Sequence, residues 1–387
     1  MNSFASTTLR RSFELGNAGR SARGVKGGVG IRAATVAVVL VVTSTLGAIS
    51  GAASNIGTIQ TVAGMSQVDA VACPSSSTCV ALGRYPGVGS SSVGNGDLVF
   101  ADVDVASGKL NTDTVIPGAL DAPSNGLSCV SSRLCWMISS PSPGFPGLDV
   151  FGLEVGIGPT PAGEGQSGWV PSELSCGSAT HCYVAVTSGT SAGVMPVKDG
   201  VPEPVIVIPG LSGAAQALGV ACVSATSCVV SGREGSGGYL GLIVGTKVRD
   251  VSNLPSTWLN EIVCPTSSTC VAVGGTSSSP NTSIVATLNP SNAVLGKALP
   301  VKGRDVELDA VACSSAESCV AAGHVTPAGQ RVSGAYVSFV KGHIGKLVEE
   351  NGVAGINGAG CTATSKCFLG GVDSRGNIGA EFEVTLP

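Results

Sequence analysis

Short, unbroken apolar runs recur along the chain, each directly after a cysteine and most ending at a glycine, as in Val80-Ala81-Leu82, Val271-Ala272-Val273 and Phe368-Leu369. Runs of this length predict strands covered on both faces rather than amphipathic helices. Upstream of each run the pattern alternates. Val71, Leu127, Leu174, Val220, Ile262, Val311 and Ala359 each stand two residues before a cysteine, on the same strand face as its sulfur. Between the two apolar stretches lies a polar five-residue segment such as PSSST or PTSST. Two residues after its opening cysteine stand Ser75, Ser131, Ser178, Ser224, Thr266 and Ser315, with Ala363 as the exception. A hydroxyl there can bond the local backbone of a tight turn. Each stretch therefore predicts a β-hairpin with a cysteine on either side of its turn.

The hairpin occurs seven times. It pairs Cys73 with Cys79, Cys129 with Cys135, Cys176 with Cys182, Cys222 with Cys228, Cys264 with Cys270, Cys313 with Cys319 and Cys361 with Cys367. Successive pairs are 56, 47, 46, 42, 49 and 48 residues apart, so the chain is seven copies of one supersecondary unit. A third strand is read at 98–105, 150–157, 240–244, 283–288, 336–340 and 380–386. A weaker fourth precedes the next unit, as at 114–118 and 206–210. Four antiparallel strands in a unit of this size predict a propeller blade. The last unit ends after its third strand, and Ile56 to Gly64 resembles the fourth-strand segments of the other units, notably in its Thr61-Val62-Ala63-Gly64 ending. The expected fold is all-β: a seven-bladed propeller of four-stranded antiparallel blades over 54–387, closed by this N-terminal strand, with one disulfide per blade. A linear solenoid needs caps and gives no reason for such circular completion.

Composition agrees: 56 glycines and 21 prolines, with 12% charged and 4% aromatic residues, leave little material for amphipathic helices. Residues 1–32 carry Arg10, Arg11, Arg20, Arg23, Lys26 and Arg32 against Glu14 alone, and an apolar run follows from Ala33 to Val42, trailing on to Ala53. Basic, then apolar, then small residues predict an export signal over 1–53, cleaved after Ala52 or Ala53. The alternative is an uncleaved membrane anchor over 33–53. Export suits fourteen cysteines at fixed spacing, which read as disulfides. Zinc is the rival reading, but five intervening residues exceed the usual ligand spacing, and His181, His324 and His343 do not repeat with the cysteines. Without residues 1–53 the chain keeps 15 of its 21 basic and 24 of its 25 acidic residues, a net charge of about −9. No basic face with interleaved aromatics is visible, so nucleic acid is not an expected partner.

The repeat C-x-[ST]-x-x-x-C-[VFWY]-x-x-G, as in CPSSSTCVALG and CPTSSTCVAVG, resembles blades of secreted or surface-anchored bacterial β-propeller proteins, especially actinobacterial ones, often labelled sialidase-like or sortilin-like. The resemblance covers about residues 56–387 and implies an exported propeller without implying a reaction. No S-x-D-x-G-x-T-W box occurs in any blade, and the arginines of the mature part do not repeat with the blades, which sets the chain apart from true sialidases.

Propeller ligands commonly sit at the channel mouth, among the loops from second to third strand and those between blades. The fifth residue after each second cysteine gives an equivalent ring of Arg84, Ser140, Thr187, Arg233, Gly275, His324 and Val372. The two arginines and the histidine make this ring a candidate for holding an anionic group, or are simply solvated loop residues. Tyr85, Phe145, Glu234, Arg331, Asp373 and Arg375 extend the surface, with Trp169 and Trp258 as blade-packing residues or a stacking platform. The binding residues singled out are Arg84, Tyr85, Arg233, Glu234, His324, Arg331 and Arg375. No catalytic, cofactor or metal motif is found: Asp102 with Asp104 and Glu381 with Glu383 alternate along strands as solvated faces do, and glycine-rich 232–238 lacks a phosphate-loop lysine. The favoured function is a non-catalytic extracellular or cell-surface module, expected to be a monomer, that binds a protein, peptide or glycan. The alternative is a secreted hydrolase or lyase of cell-wall or extracellular polysaccharide acting at the channel mouth.

Overall fold

The computed structural model describes residues 59–386 apart from 63–64, 85–96, 107–108, 121–125, 140–147, 156, 212, 278–281, 304, 327–330 and 376–377, with backbone alone at 97 and 109–120. The N-terminal 1–53 lies outside the described residues, as does the segment Ile56 to Thr58 of the closing strand. Among the described residues no helix is long and apolar enough to cross a membrane.

Seven antiparallel sheets follow one another along the chain, six with their strands in sequence order from the channel outward and the seventh with the N-terminal strand Gln60–Thr61 on its outer edge. The innermost strands are Gln67–Ala72, Leu127–Cys129, Val170–Ser178, Ala215–Ser224, Thr257–Thr266, Val306–Ser315 and Val353–Cys361. The hairpin turn carries each cystine, and the bonds are those the spacing predicts. Cys73 joins Cys79, Cys129 joins Cys135, Cys176 joins Cys182, and Cys222 joins Cys228. Cys264 joins Cys270, Cys313 joins Cys319, and Cys361 joins Cys367.

The spacing treats the two members of a pair alike, and the structure does not. Cys79, Cys135, Cys182, Cys228, Cys270, Cys319 and Cys367 are buried at 0 to 2% exposure, each the second residue of its apolar second strand. Cys73, Cys129, Cys176, Cys222, Cys264, Cys313 and Cys361, at the ends of the innermost strands, are half-buried. Each bond thus ties the channel-side end of a blade to its packed interior. The hydroxyl after the first cysteine caps the turn: Ser75 Oγ accepts from the N–H of Thr78 at 3.0 Å, and Thr266 Oγ1 from that of Thr269 at 3.1 Å. Blade 7, which has Ala363 there, moves the device one residue back, so that Thr362 Oγ1 accepts from Thr364 N–H.

Blade 3 adds a third strand, Ser191–Lys198, that the apolar pattern does not single out. Its outer strand is split into Val201–Pro202 and Ile206–Val207 because Pro202 and Pro204 bring no N–H to the ladder. The third strand of blade 2 stops at Glu154, short of the expected Ile157, which is 77% exposed in the following turn.

The core is seven separate clusters, each between two adjacent blades. Phe100 and Leu82 of blade 1 meet Met137 of blade 2, and so on round to Phe368 of blade 7 against Val68 and Val99 of blade 1. No blade owns a core, so every one needs both neighbours. Gln60–Thr61 closes the ring by pairing antiparallel with the third strand of blade 7, Gln60 opposite Glu381 and Thr61 opposite Ala380. The N–H of Val62 extends the seam to Gly379 O at 2.9 Å.

Each innermost strand turns one edge to the channel, where no further strand can pair with it, so its backbone groups need other partners. Side chains of the preceding blade supply them. Ser128 Oγ accepts from Cys176 N–H at 3.1 Å and Ser175 Oγ from Cys222 N–H at 3.0 Å. Glu173 Oε2 accepts from Val220 N–H at 3.0 Å, and Glu261 Oε2 from Val311 N–H. Asn260 Nδ2 donates to Leu308 O at 2.9 Å.

Glu173 and Glu261 stand at matching positions of blades 3 and 5, both about 5% exposed, beside a channel cavity of about 310 Å³. Gly219 lies between them, so close that a Cβ there would sit 3.2 Å from Glu173 Oε2. Burial, reinforced by the Glu261 carboxylate, holds the Glu173 carboxyl well above the usual carboxylate range, against the Val220 N–H that favours its charged form. Glu173→Gln keeps an acceptor for Val220 N–H and removes the titratable proton, whereas Glu173→Ala leaves that N–H unpartnered. Chemical denaturation of both variants should show the alanine form destabilised by about 1–3 kcal/mol and the glutamine form gaining relative to wild type as pH rises.

A second buried carboxyl lies at the ring seam. Glu381 is 4% exposed, and its Oε1 has no hydrogen-bond partner among the described residues. Burial pushes its pKa up to about 8 from an ordinary 4.5. The folded chain thus holds a proton that the unfolded chain releases, so stability is greatest below about 4.5 and declines as pH rises to about 8. Thermal melts across this range should show Glu381→Gln flattening the decline, by at most about 5 kcal/mol. An unchanged profile would mean the seam does not titrate.

Candidate functional site

Six innermost strands carry a bulge, skipping Asp69, Ser172, Leu218, Asn260, Asp309 and Asn357 in the pairing with the second strand. Each is the fourth residue before a first cysteine. A bulge bends its strand and re-aims the extra side chain. It also explains the glycine that closes most apolar runs. At Gly83, Gly232, Gly274, Gly323 and Gly371 a Cβ would lie 1.8 to 2.1 Å from an inner-strand carbonyl oxygen, too close for any side chain.

The bulge residue decides what happens to the cation at the end of the second strand. In blade 1, Asp69 is 1% exposed and accepts from Arg84 Nε at 3.0 Å and from Gln67 Nε2 at 2.6 Å. In blade 6, Asp309 Oδ2 lies 3.3 Å from His324 Nδ1, and Glu307 Oε2 lies 3.6 Å from Nε2. The hydrogen bond to Asp309 raises the His324 pKa above its ordinary 6.5, with the charges of Asp309 and Glu307 adding to it against burial. In blade 4 the bulge residue is Leu218, which offers no carboxylate. Among the described residues Arg233 makes no ion pair. Its guanidinium carbon instead lies 4.7 Å from the centroid of the Trp258 ring in blade 5.

Arg233, Trp258 and His324 border one cavity of about 330 Å³ that runs across blades 4, 5 and 6 on the face opposite the cystine turns. Asn260, Ser283, Thr282 and Thr326 add polar groups to its wall, and Asp305 and Glu307 bring carboxylates from the entry of blade 6. Asp305 holds a positive φ of 55°, a conformation Asp tolerates better than most residues. The Trp258 indole lies over Gly275, where a Cβ would come within 2.6 Å of the ring. Trp258 is the second residue of the innermost strand of blade 5 rather than preceding it.

The other residues of the sequence-derived ring lie elsewhere. Thr187 Oγ1 accepts from Ala217 N–H at 3.1 Å and joins blades 3 and 4. Arg375 Nε pairs with Asp373 at 2.8 Å in a turn of blade 7 that Asp373 also holds through Ile378 N–H. Arg331 is exposed before the third strand of blade 6, and Glu234 is half-buried at the end of the second strand of blade 4. Tyr85, Ser140 and Phe145 lie outside the described residues. Trp169 packs on the core between blades 2 and 3, with a Cβ at Gly193 falling 3.0 Å from its ring.

The ring taken from the cysteine spacing misses Asp69, Asn260, Asp305, Glu307 and Asp309. A signal for part of this set is present in the chain: the fourth residue before the first cysteine reads Asp69, Asn125, Ser172, Leu218, Asn260, Asp309 and Asn357. Polar residues at six of seven equivalent places in a strand with buried faces mark a position that leaves the face.

No protein-family model matches the chain, and no curated protein sequence does. Solved structures do. The chain is similar to a chain of Kuenenia stuttgartiensis hydrazine synthase, at 12% identity over 88% of this chain and 99% of that one, with a TM-score of 0.61. It is similar to the Cps50 (Swd1) β-propeller domain of Myceliophteria thermophila at 12% identity, covering 85% and 99% with a TM-score of 0.57. It is also similar to YCF48 bound to D1 peptide, at 11% identity over 86% and 96% with a TM-score of 0.52. Identities this low show the fold, a β-propeller, and nothing of the chemistry.

Proposed function

We propose that the chain is an exported, non-catalytic binding module that holds a protein or peptide partner over the mouth of blades 4 to 6. The observation that carries this reading is Arg233. Of the three cations in the mouth ring, Arg84 and His324 are neutralised by acids of their own blades, and Arg233 lies over an aromatic ring at the edge of a cavity with no ion pair among the described residues. An arginine stacked on a tryptophan at the edge of a pocket has the composition of an interface hot spot. Peptide binding by this fold is also made reasonable by the similar YCF48 structure, which is bound to D1 peptide. Arg84, Asp69, His324 and Asp309 are engaged with one another in structure rather than arranged as an acid and a base around a reacting atom, which favours binding over hydrolysis.

Export is part of the same proposal. Seven cystines with no free cysteine suit an oxidising compartment, and residues 1–53 have the order of an export signal. Intact mass of the protein from its host should lack residues 1–52 or 1–53 and show 14 alkylatable thiols only after reduction. Free thiols on an uncleaved chain would overturn the export assignment.

A photo-crosslinking residue at Thr282 should capture a discrete partner on intact cells, and one at Ser76, in the cystine turn on the opposite face, should not. Trp258→Ala should abolish the capture and leave the melting temperature within a few degrees of wild type. Arg84→Ala should do the reverse, lowering stability because it leaves buried Asp69 without its cation. Capture that survives Trp258→Ala would place the binding surface elsewhere.

A further inference from the structure

The mouth cavity is polarised. Its blade 4 wall ends in the Arg233 guanidinium, which has no acid partner among the described residues. Its blade 6 wall carries Asp305, which is exposed, and Glu307, which is 61% exposed. Trp258 of blade 5 forms the apolar part of the wall between them, its half-buried indole lying over Gly275, where no side chain would fit. His324 offsets part of the acidic wall, lying 3.3 Å from Asp309 and 3.6 Å from Glu307, but two carboxylates share its single charge and Asp305 makes no ion pair among the described residues, so the blade 6 wall keeps a negative balance.

We infer that this site selects a peptide segment of mixed charge: an acidic side chain toward blade 4, a basic one toward blade 6, and an apolar or aromatic residue between them on Trp258. Stacking fixes the plane of the guanidinium while its N–H edges stay free, and a planar fork of this kind matches a carboxylate in two parallel hydrogen bonds. The carboxylates across the cavity repel a second acid and attract an ammonium or guanidinium. A segment with two like charges meets one favourable wall and one repulsive wall, so the arrangement discriminates by penalising the wrong ligand as well as by holding the right one. The inference rests on the assignment of this mouth as the binding site.

Three tripeptides capped at both ends test it on the full mature protein: aspartyl-phenylalanyl-lysine, aspartyl-phenylalanyl-aspartate and lysyl-phenylalanyl-lysine. Calorimetric titration at low salt should show the mixed peptide binding about tenfold or more tighter than either like-charged one, equivalent to about 1.4 kcal/mol. Arg233→Glu should move the preference to the doubly basic peptide, and Glu307→Lys to the doubly acidic one. Trp258→Ala should weaken all three alike. These reversals separate recognition from structural damage, because an unfolded site loses every ligand instead of exchanging one for another. Equal affinities for the three peptides, a like-charged peptide binding best, or no saturable binding of any of them overturns the inference. If the first two of these results disappear in Trp258→Ala, the site stands and only its charge preference falls. If binding is indifferent to Trp258→Ala, the assignment of the mouth falls as well.

Discussion

The structure depends on closure. A blade of this protein has two apolar faces and no core of its own, so each of the seven clusters exists only where two blades meet, and a ring is the arrangement that leaves no face uncovered. The seam is where that constraint is most exposed. Gln60 and Thr61 pair with Glu381 and Ala380 across the whole length of the chain, a contact whose loop-closure entropy is met by the buried Val62, Met65 and Val68 beside it. The cystines contribute differently. Each closes a small loop within one hairpin and stabilises it by about 2 kcal/mol through the unfolded chain, but none links one blade to the next.

Closure around a channel creates a second problem, the unpaired inner edge of every innermost strand. The chain answers it with side chains handed from one blade to the following one: Ser128, Ser175, Glu173, Glu261 and Asn260 each satisfy a backbone group of the next blade. Two of these are carboxyls, both buried and brought together over Gly219, and the raised Glu173 pKa is the electrostatic consequence. What looks like a pair of channel acids is thus first of all a substitute for a missing strand.

The mouth is shaped by the same inner strands. A bulge turns one residue out of the sheet, and whatever stands there sets the surroundings of the cation at the end of the second strand. Asp69 and Asp309 engage Arg84 and His324 in structure, and Leu218 leaves Arg233 to Trp258. Three residues equivalent by spacing therefore have three different electrostatic situations. Function in a repeat fold is found where one repeat departs from the device its neighbours share.

The cysteine spacing, the apolar runs and the glycines that end them were enough to read seven blades, their hairpins, the cystine pairs and the closing strand. All but the closing strand are set by local chemistry: alternation, turn hydroxyls and covalent pairing within a few residues; the closing strand was legible only through its likeness to the fourth strands of the other units. The third strand of blade 3 was not legible, because Ser191–Lys198 carries Pro196 and few β-branched residues and is held by its neighbours. The ring of mouth residues was legible as a set of positions but not as a site. Which partner Arg84 or Arg233 finds depends on residues 15 positions back in the chain, Asp69 in one blade and Leu218 in the other, and on Trp258 arriving from the next blade. Covalent order determined the repeat. Only the tertiary structure decided which charges cancel, because charges cancel by distance in space, and the bulges and blade interfaces set those distances.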